Sequence, residues 1–370
     1  MALVCEAEAA KRRSLRVRPL VATVADGAVF ALIAIYSGSP ESHAEYAAIG
    51  TPLLLSLAPA LLIIYAASTA MQTVLRRRGI SFFETAQALV AALLTVWTIL
   101  AFWPGHGALV LGVFCLLASA AGDVVVFAWF DRIHAQRNYH VYAIGSVALL
   151  LAGCFLALPS GWAALCFALS ALVLVILGAR TAHSTLLFHG MALLVSAAFA
   201  SSLFAFVANA MVGLSPAAPR WMVSIVGVSS ILCYADMPCS TPDPWWSKAL
   251  RALAATVAVV ATTAFLAWIL MRALAVGIPL GAQHLAVLRT LACCAAALSV
   301  AWCGSRWQRD ELVWLAWAVL AFTAFKRPFE DLRHGHLGFT AASIFLYAVA
   351  LLLIPRLLHK GSETDNGSPS

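Results

Sequence analysis

The sequence predicts an all-α fold: a polytopic integral membrane helical bundle of about twelve transmembrane helices. Three observations carry that expectation. First, 63% of the residues are hydrophobic and only 11% are charged, with a mean hydropathy of +0.92. Soluble domains carry about 25% charged residues, so this chain has too few polar groups to cover a water-facing surface, and its solvent is lipid. Second, apolar runs follow one another along nearly the whole chain, each close to the ~20 residues a helix needs to cross the hydrocarbon core. Third, the connectors are short and hold the polar residues, which leaves no room for a soluble domain of ordinary size.

Residues 1–18 form a basic segment with Lys11, Arg12, Arg13, Arg16 and Arg18, expected to remain cytoplasmic. Asp26 interrupts the apolar stretch that follows, and no clean small-residue cleavage site appears, so a span fits better than a signal peptide. The transmembrane domain is expected over 19–356. Its spans read as 19–37, 51–73, 84–103, 107–130, 140–158, 161–179, 184–212, 220–236, 249–271, 284–303, 310–325 and 338–355. Pro104-Gly-His-Gly107 and Pro159-Ser-Gly161 are tight turns between antiparallel helices, because Pro and Gly stop a helix there. The run 184–212 is long enough to tilt or to extend past the bilayer. The loop before Lys248 holds three prolines, and its Trp245 and Trp246 suit the headgroup level. Residues 357–370 read as a polar, disordered tail.

The net charge of +7 is explained by topology without nucleic acid as a partner. With both termini cytoplasmic and an even number of spans, most of the 23 Lys and Arg residues fall on the inner side, as the positive-inside rule requires. The connector 326–336 is the exception, since it puts Lys326, Arg327 and Arg333 outside. Nine cysteines lie mostly within apolar runs, where they act as small hydrophobes. No CxxC pair and no Cys/His zinc spacing is present, HExxH is absent, and the ten histidines sit near span ends. No metal and no cofactor is expected.

Ionisable groups inside spans are the first candidates for function, because each costs about 2.5–3.5 kcal/mol on insertion scales. Asp26 in the first span and Asp123 in the fourth sit at similar depth, so a shared polar cavity for a cation or proton is one expectation. Each also lies beside a glycine, and a plain interhelical hydrogen bond is the other. Glu84 and Gln87 open the third span, where Glu84 complements the helix dipole. Arg289, a turn into its span, is expected to snorkel to the headgroups. In 326–336, Lys326 with Glu330 and Arg327 with Asp331 are spaced i,i+4, and a short interfacial helix from Pro328 would align them. Lys326, Arg327 and Arg333 are candidates to bind a headgroup or another anion.

Lys326, Asp331-Leu332 and Ser343, within a closing span that ends on a basic residue, resemble the terminal hairpin of a large bacterial family of many-helix inner-membrane proteins. This is the domain of unknown function 2339 type. The resemblance covers about 45 residues and implies a multi-pass location in a bacterial inner membrane, without naming a reaction. The present chain is shorter than that family. Three functions stay open at this level. One is a transporter-like or channel-like carrier using Asp26 and Asp123. Another is a membrane-embedded enzyme acting on lipid-linked substrates at 326–336. The third is an assembly subunit whose partners are the lipid bilayer and other membrane proteins.

Overall fold

The computed structural model describes residues 18–38, 50–76, 78–126, 136–213, 218–238, 244–275, 281–334 and 337–363. Among them there are thirteen α-helices and no strand. The chain divides into two compact units, Met1–Leu158 and Pro159–Ser370.

The first unit holds α1 (Arg18–Ser37), α2 (Thr51–Ala70), α3 (Phe82–Phe102), α4 (Gly107–Val125) and α5 (Gln136–Ala157). Proline near its first turn starts α2, where a missing N–H costs nothing. A wider π turn, Met71–Leu75, ends it. Ser81 starts α3 through a capping box: its hydroxyl accepts from Glu84 N at 3.2 Å, and Ser81 N donates to Glu84 Oε2 at 2.9 Å. This is the dipole-complementing role expected of Glu84. Between α3 and α4, Gly105 has φ of +93°, a backbone state that favours glycine. Helices α1, α2 and α3 share one core built on Ile33, Ala58, Tyr65, Ala91 and Leu94.

Helices α4 and α5 approach more closely. A Cβ added at Gly112 would lie 2.8 Å from Ala157 N, and one at Gly153 would lie 2.9 Å from Gly112 O. Two facing glycines therefore set the spacing, as small residues do where lipid supplies no hydrophobic drive for helix pairing.

The second unit holds α6 (Ser160–Thr181), α7 (Ser184–Ala200), α8 (Leu203–Val212), α9 (Trp221–Asp236), α10 (Trp245–Ala275), α11 (Ala282–Trp307), α12 (Asp310–His334) and α13 (Leu337–Glu363). Its longest member is the 31-residue α10, about 46 Å long at 1.5 Å per residue. Its buried positions include Ala254, Ala255, Ala258, Ala261, Ala264 and Ala267, a small-residue face that lets neighbouring helices pack tightly. Helices α11, α12 and α13 meet through Ala297, Ala301, Ala316, Leu320, Ala350 and Ile354.

Nine helices among the described residues are long and apolar enough to cross a membrane, or up to ten if α7 and α8 form one bent span. Their outward faces are apolar, with Leu93, Leu117, Phe155, Val173 and Phe345 exposed. The protein is an all-α, multi-pass membrane protein. Three expected spans take other forms. The run 184–212 is bent by 55° rather than straight. Its bend falls at Ser201–Ser202, where Ser202 adopts φ of +63°. Helix α9 is a 16-residue apolar helix, shorter than the nine. Helix α12 continues unbroken to His334, so the expected separate interfacial helix from Pro328 does not form. Helix α12 is not among the nine. The backbone of α13 stays helical to Glu363, into the segment expected as a polar tail; residues 1–17 and 364–370 lie outside the described residues.

Candidate functional site

The first unit carries a cavity of about 370 Å³ at the seam between the α2–α3 pair and the α4–α5 pair. Its walls are mainly Ala, Gly and Val, which leave space where longer side chains would have filled the seam. Its polar side chains are Thr69 on α2, Glu84 and Thr85 on α3, and Tyr142 and Ser146 on α5. Among the described residues no lysine, arginine or histidine lines it. Thr69, Glu84, Thr85 and Tyr142 cluster where α2 ends and α3 and α5 begin. Ala88, Ala118 and Leu149, each half-buried, line its apolar part, with exposed Ala66 at its rim.

Two links close the seam at its polar end. Thr73 Oγ1 and the Tyr142 hydroxyl share a hydrogen bond of 2.8 Å. Buried Asn138 bridges α5 to the link before α3: its Oδ1 accepts from Ile80 N and its Nδ2 donates to Arg78 O, each at 2.9 Å. One turn beyond Tyr142, Ser146 joins α5 to α4. Its Oγ donates to Asp123 Oδ1 at 2.6 Å and lies 2.8 Å from Ser119 O. Ser119 Oγ in turn donates to Ser146 O at 2.8 Å.

Asp123 therefore stands one hydrogen bond behind the cavity wall. Asp26 does not join it. Its Oδ1 accepts from the Tyr65 hydroxyl at 3.1 Å, within the α1–α2 contact, and it is not a lining residue. Each aspartate is thus satisfied by a hydroxyl from the helix packed against its own. Glu84, expected from the sequence only to complement its helix dipole, is the one carboxylate among the described residues that line the cavity. Gln87, a turn further along α3, is buried, with its Nε2 lacking an acceptor.

Of the three basic candidates in 326–336, Lys326 is buried, 8% exposed. The side chains of Arg327 and Arg333 lie outside the described residues. Arg289 does not snorkel. It is 2% exposed, and it donates to Ala210 O at 2.9 Å and to Gly213 O. Those acceptors are carbonyls left open at the C-terminal end of α8. Among the described residues no group of three or more His, Cys, Asp or Glu is placed to share a metal ion.

The sequence reading passed over Asn138, Tyr142 and Ser146. A signal for them was present: they recur every four residues on one face of an apolar helix, and so do Thr69 with Thr73 and Ser119 with Asp123. Comparisons of the chain with protein-family models, with curated proteins and with solved structures find no match. The functional reading rests on the cavity itself.

Proposed function

We propose that the protein is a membrane carrier and that the seam between α2–α3 and α4–α5 is its ligand site. The observation that carries this is the cavity: about 370 Å³, apolar over most of its wall and polar at one end, with a carboxylate and, among the described residues, no cationic side chain on its wall. That volume is at the small end of the roughly 300–1,000 Å³ of ligand pockets. Glu84 and, behind Ser146, Asp123 favour a positive or neutral head. The Ala/Gly depth favours an apolar body. The ligand class is an amphiphilic organic cation, with its head toward Glu84 and Tyr142, whose ring adds a cation–π surface. Arg76 and Arg78 flank the polar end of the seam. By the positive-inside rule that end faces the cytoplasm of a bacterial cell.

The test is uptake of radiolabelled decyltrimethylammonium into proteoliposomes, with decyl sulfate and decanol as competitors. Its charge is permanent, so protonation does not confuse the result. Decyltrimethylammonium should enter saturably, and decyl sulfate should not compete. Gly145 lines the cavity, and a Cβ built there meets nothing within 4 Å. Gly145→Phe should therefore fill the site without displacing backbone and abolish uptake. Glu84→Gln and Asp123→Asn should each reduce uptake, whereas Asp26→Asn should not. Uptake that is non-saturable, or unchanged in Gly145→Phe, would end the proposal.

A further inference from the structure

The second unit holds a smaller cavity of about 180 Å³ among α9, α10, α11 and the start of α12. Ala255, Ala258, Val259 and Val300 give it an apolar wall, and Tyr234 of α9 closes one side. The Tyr234 side chain is more than nine-tenths buried; its hydroxyl oxygen faces Arg309, and among the described residues its O–H has no acceptor. The Arg309 guanidinium lies over the ring of Tyr234, with Cζ 4.7 Å from the centroid. Its Nη1 is also buried and has no acceptor among the described residues. Two unmet donors therefore stand together, the Tyr234 hydroxyl on the cavity wall and Arg309 Nη1 against that ring.

The charges around them do not cancel. Arg309, Glu311 and Arg251 all act on the Tyr234 hydroxyl. Glu311 is already taken, since Arg251 Nε donates to its Oε1 at 2.8 Å, and both side chains are buried. Arg251 also donates through Nη1 to Pro238 O at 2.9 Å. Arg309 is left as the surplus positive charge. A buried donor without an acceptor is costly. A guanidinium N–H beside a hydroxyl, with net positive charge, complements the paired oxygens of a carboxylate. The adjoining apolar wall excludes a bare hydrated ion as the natural occupant and asks for a tail. The volume, about half that of the first cavity, excludes a diacyl lipid.

We propose that this pocket binds a small monocarboxylate with a short apolar chain, of the medium-chain fatty acid class. Its carboxylate accepts from Arg309 Nη1 and the Tyr234 hydroxyl, and its chain lies against Ala255, Ala258 and Val300. The site is separate from the cavity of the first unit and takes a ligand of opposite charge.

The experiment is equilibrium binding of radiolabelled octanoate to the full-length protein in nanodiscs, read by scintillation proximity. Octanol and octylamine serve as competitors of matched chain length. Octanoate should bind saturably at one site, and neither competitor should displace it. Tyr234→Phe keeps the ring and its contact with Arg309 but removes one donor. It should weaken binding by about ten-fold or more, the range for a hydrogen bond to a charged group. Arg309→Gln should weaken it at least as much. Helical content and elution volume identify a variant that fails to fold, and Tyr234→Phe then decides alone. Non-saturable binding, displacement by octanol or octylamine, or wild-type affinity in Tyr234→Phe would each overturn the proposal.

Discussion

Removing one partner of the buried ion pair Arg251–Glu311 should destabilise the second unit more than any surface substitution. The pair joins α10 to the first turn of α12 at 2.8 Å, with side chains 2% and 8% exposed. Arg251→Met leaves the Glu311 carboxylate buried without its cation and leaves Pro238 O without its donor. Breaking a buried pair in this way costs about 3–5 kcal/mol. For a unit of roughly 200 residues that corresponds to about 6–20 °C in Tm. Removing both charges, in Arg251→Met with Glu311→Leu, should recover most of the loss, because an apolar pair of similar volume is often neutral or better. The buried thiols Cys233, Cys293 and Cys294 are reporters already in place, since a thiol-reactive dye reaches them as the unit unfolds. A double variant that loses the sum of the two single losses would refute the coupling. So would single variants within about 1 kcal/mol of wild type, the median for exposed pairs.

Three further outcomes follow from the first unit. Gly112→Leu should split the α4–α5 contact, because even a Cβ there meets Ala157 at 2.8 Å; overpacking costs about 1–3 kcal/mol or more, read as lowered thermal stability. Asn138→Ala should strand Ile80 N and Arg78 O, each worth about 1–3 kcal/mol when buried, and trypsin should then cut faster at Arg76–Arg78. Gln87→Met should raise stability by about 1–2 kcal/mol, read by dye reaction of the first unit's buried thiols Cys115 and Cys154, since it removes an amide whose Nε2 has no acceptor among the described residues.

The fold class was legible because lipid imposes a simple rule on sequence: long apolar runs and short polar breaks. Turns at Pro104–Gly107 and Pro159–Gly161 were legible because Pro and Gly act locally, and so was the place of Glu84 in the first turn of its helix. What was hidden depends on partners distant in the chain. Arg289 reads as a snorkelling residue until α8 places Ala210 O and Gly213 O against its guanidinium. Arg251 and Glu311 are sixty residues apart, and nothing local pairs them. Asp26 and Asp123 were visible as costly groups, but their sequence positions do not say that Tyr65 and Ser146 satisfy them separately. The bend at Ser201–Ser202 had a faint local sign, a Ser pair inside a long apolar run, which is a common cause of kinks. The continuity of α12 had none, because its second half alternates charge signs as either a loop or a helix would.

The most direct measurement is photo-crosslinking with a decyltrimethylammonium analogue that carries a diazirine in its chain, followed by mass-spectrometric mapping of the adducts. A ligand seated in the seam should label its apolar wall, at Ala88, Ala118 and Leu149, and the labelling should vanish in Gly145→Phe. Adducts confined to outward-facing residues such as Leu93 and Leu117, unchanged in that variant, would show the compound partitioning into lipid and would contradict a ligand site between α2–α3 and α4–α5.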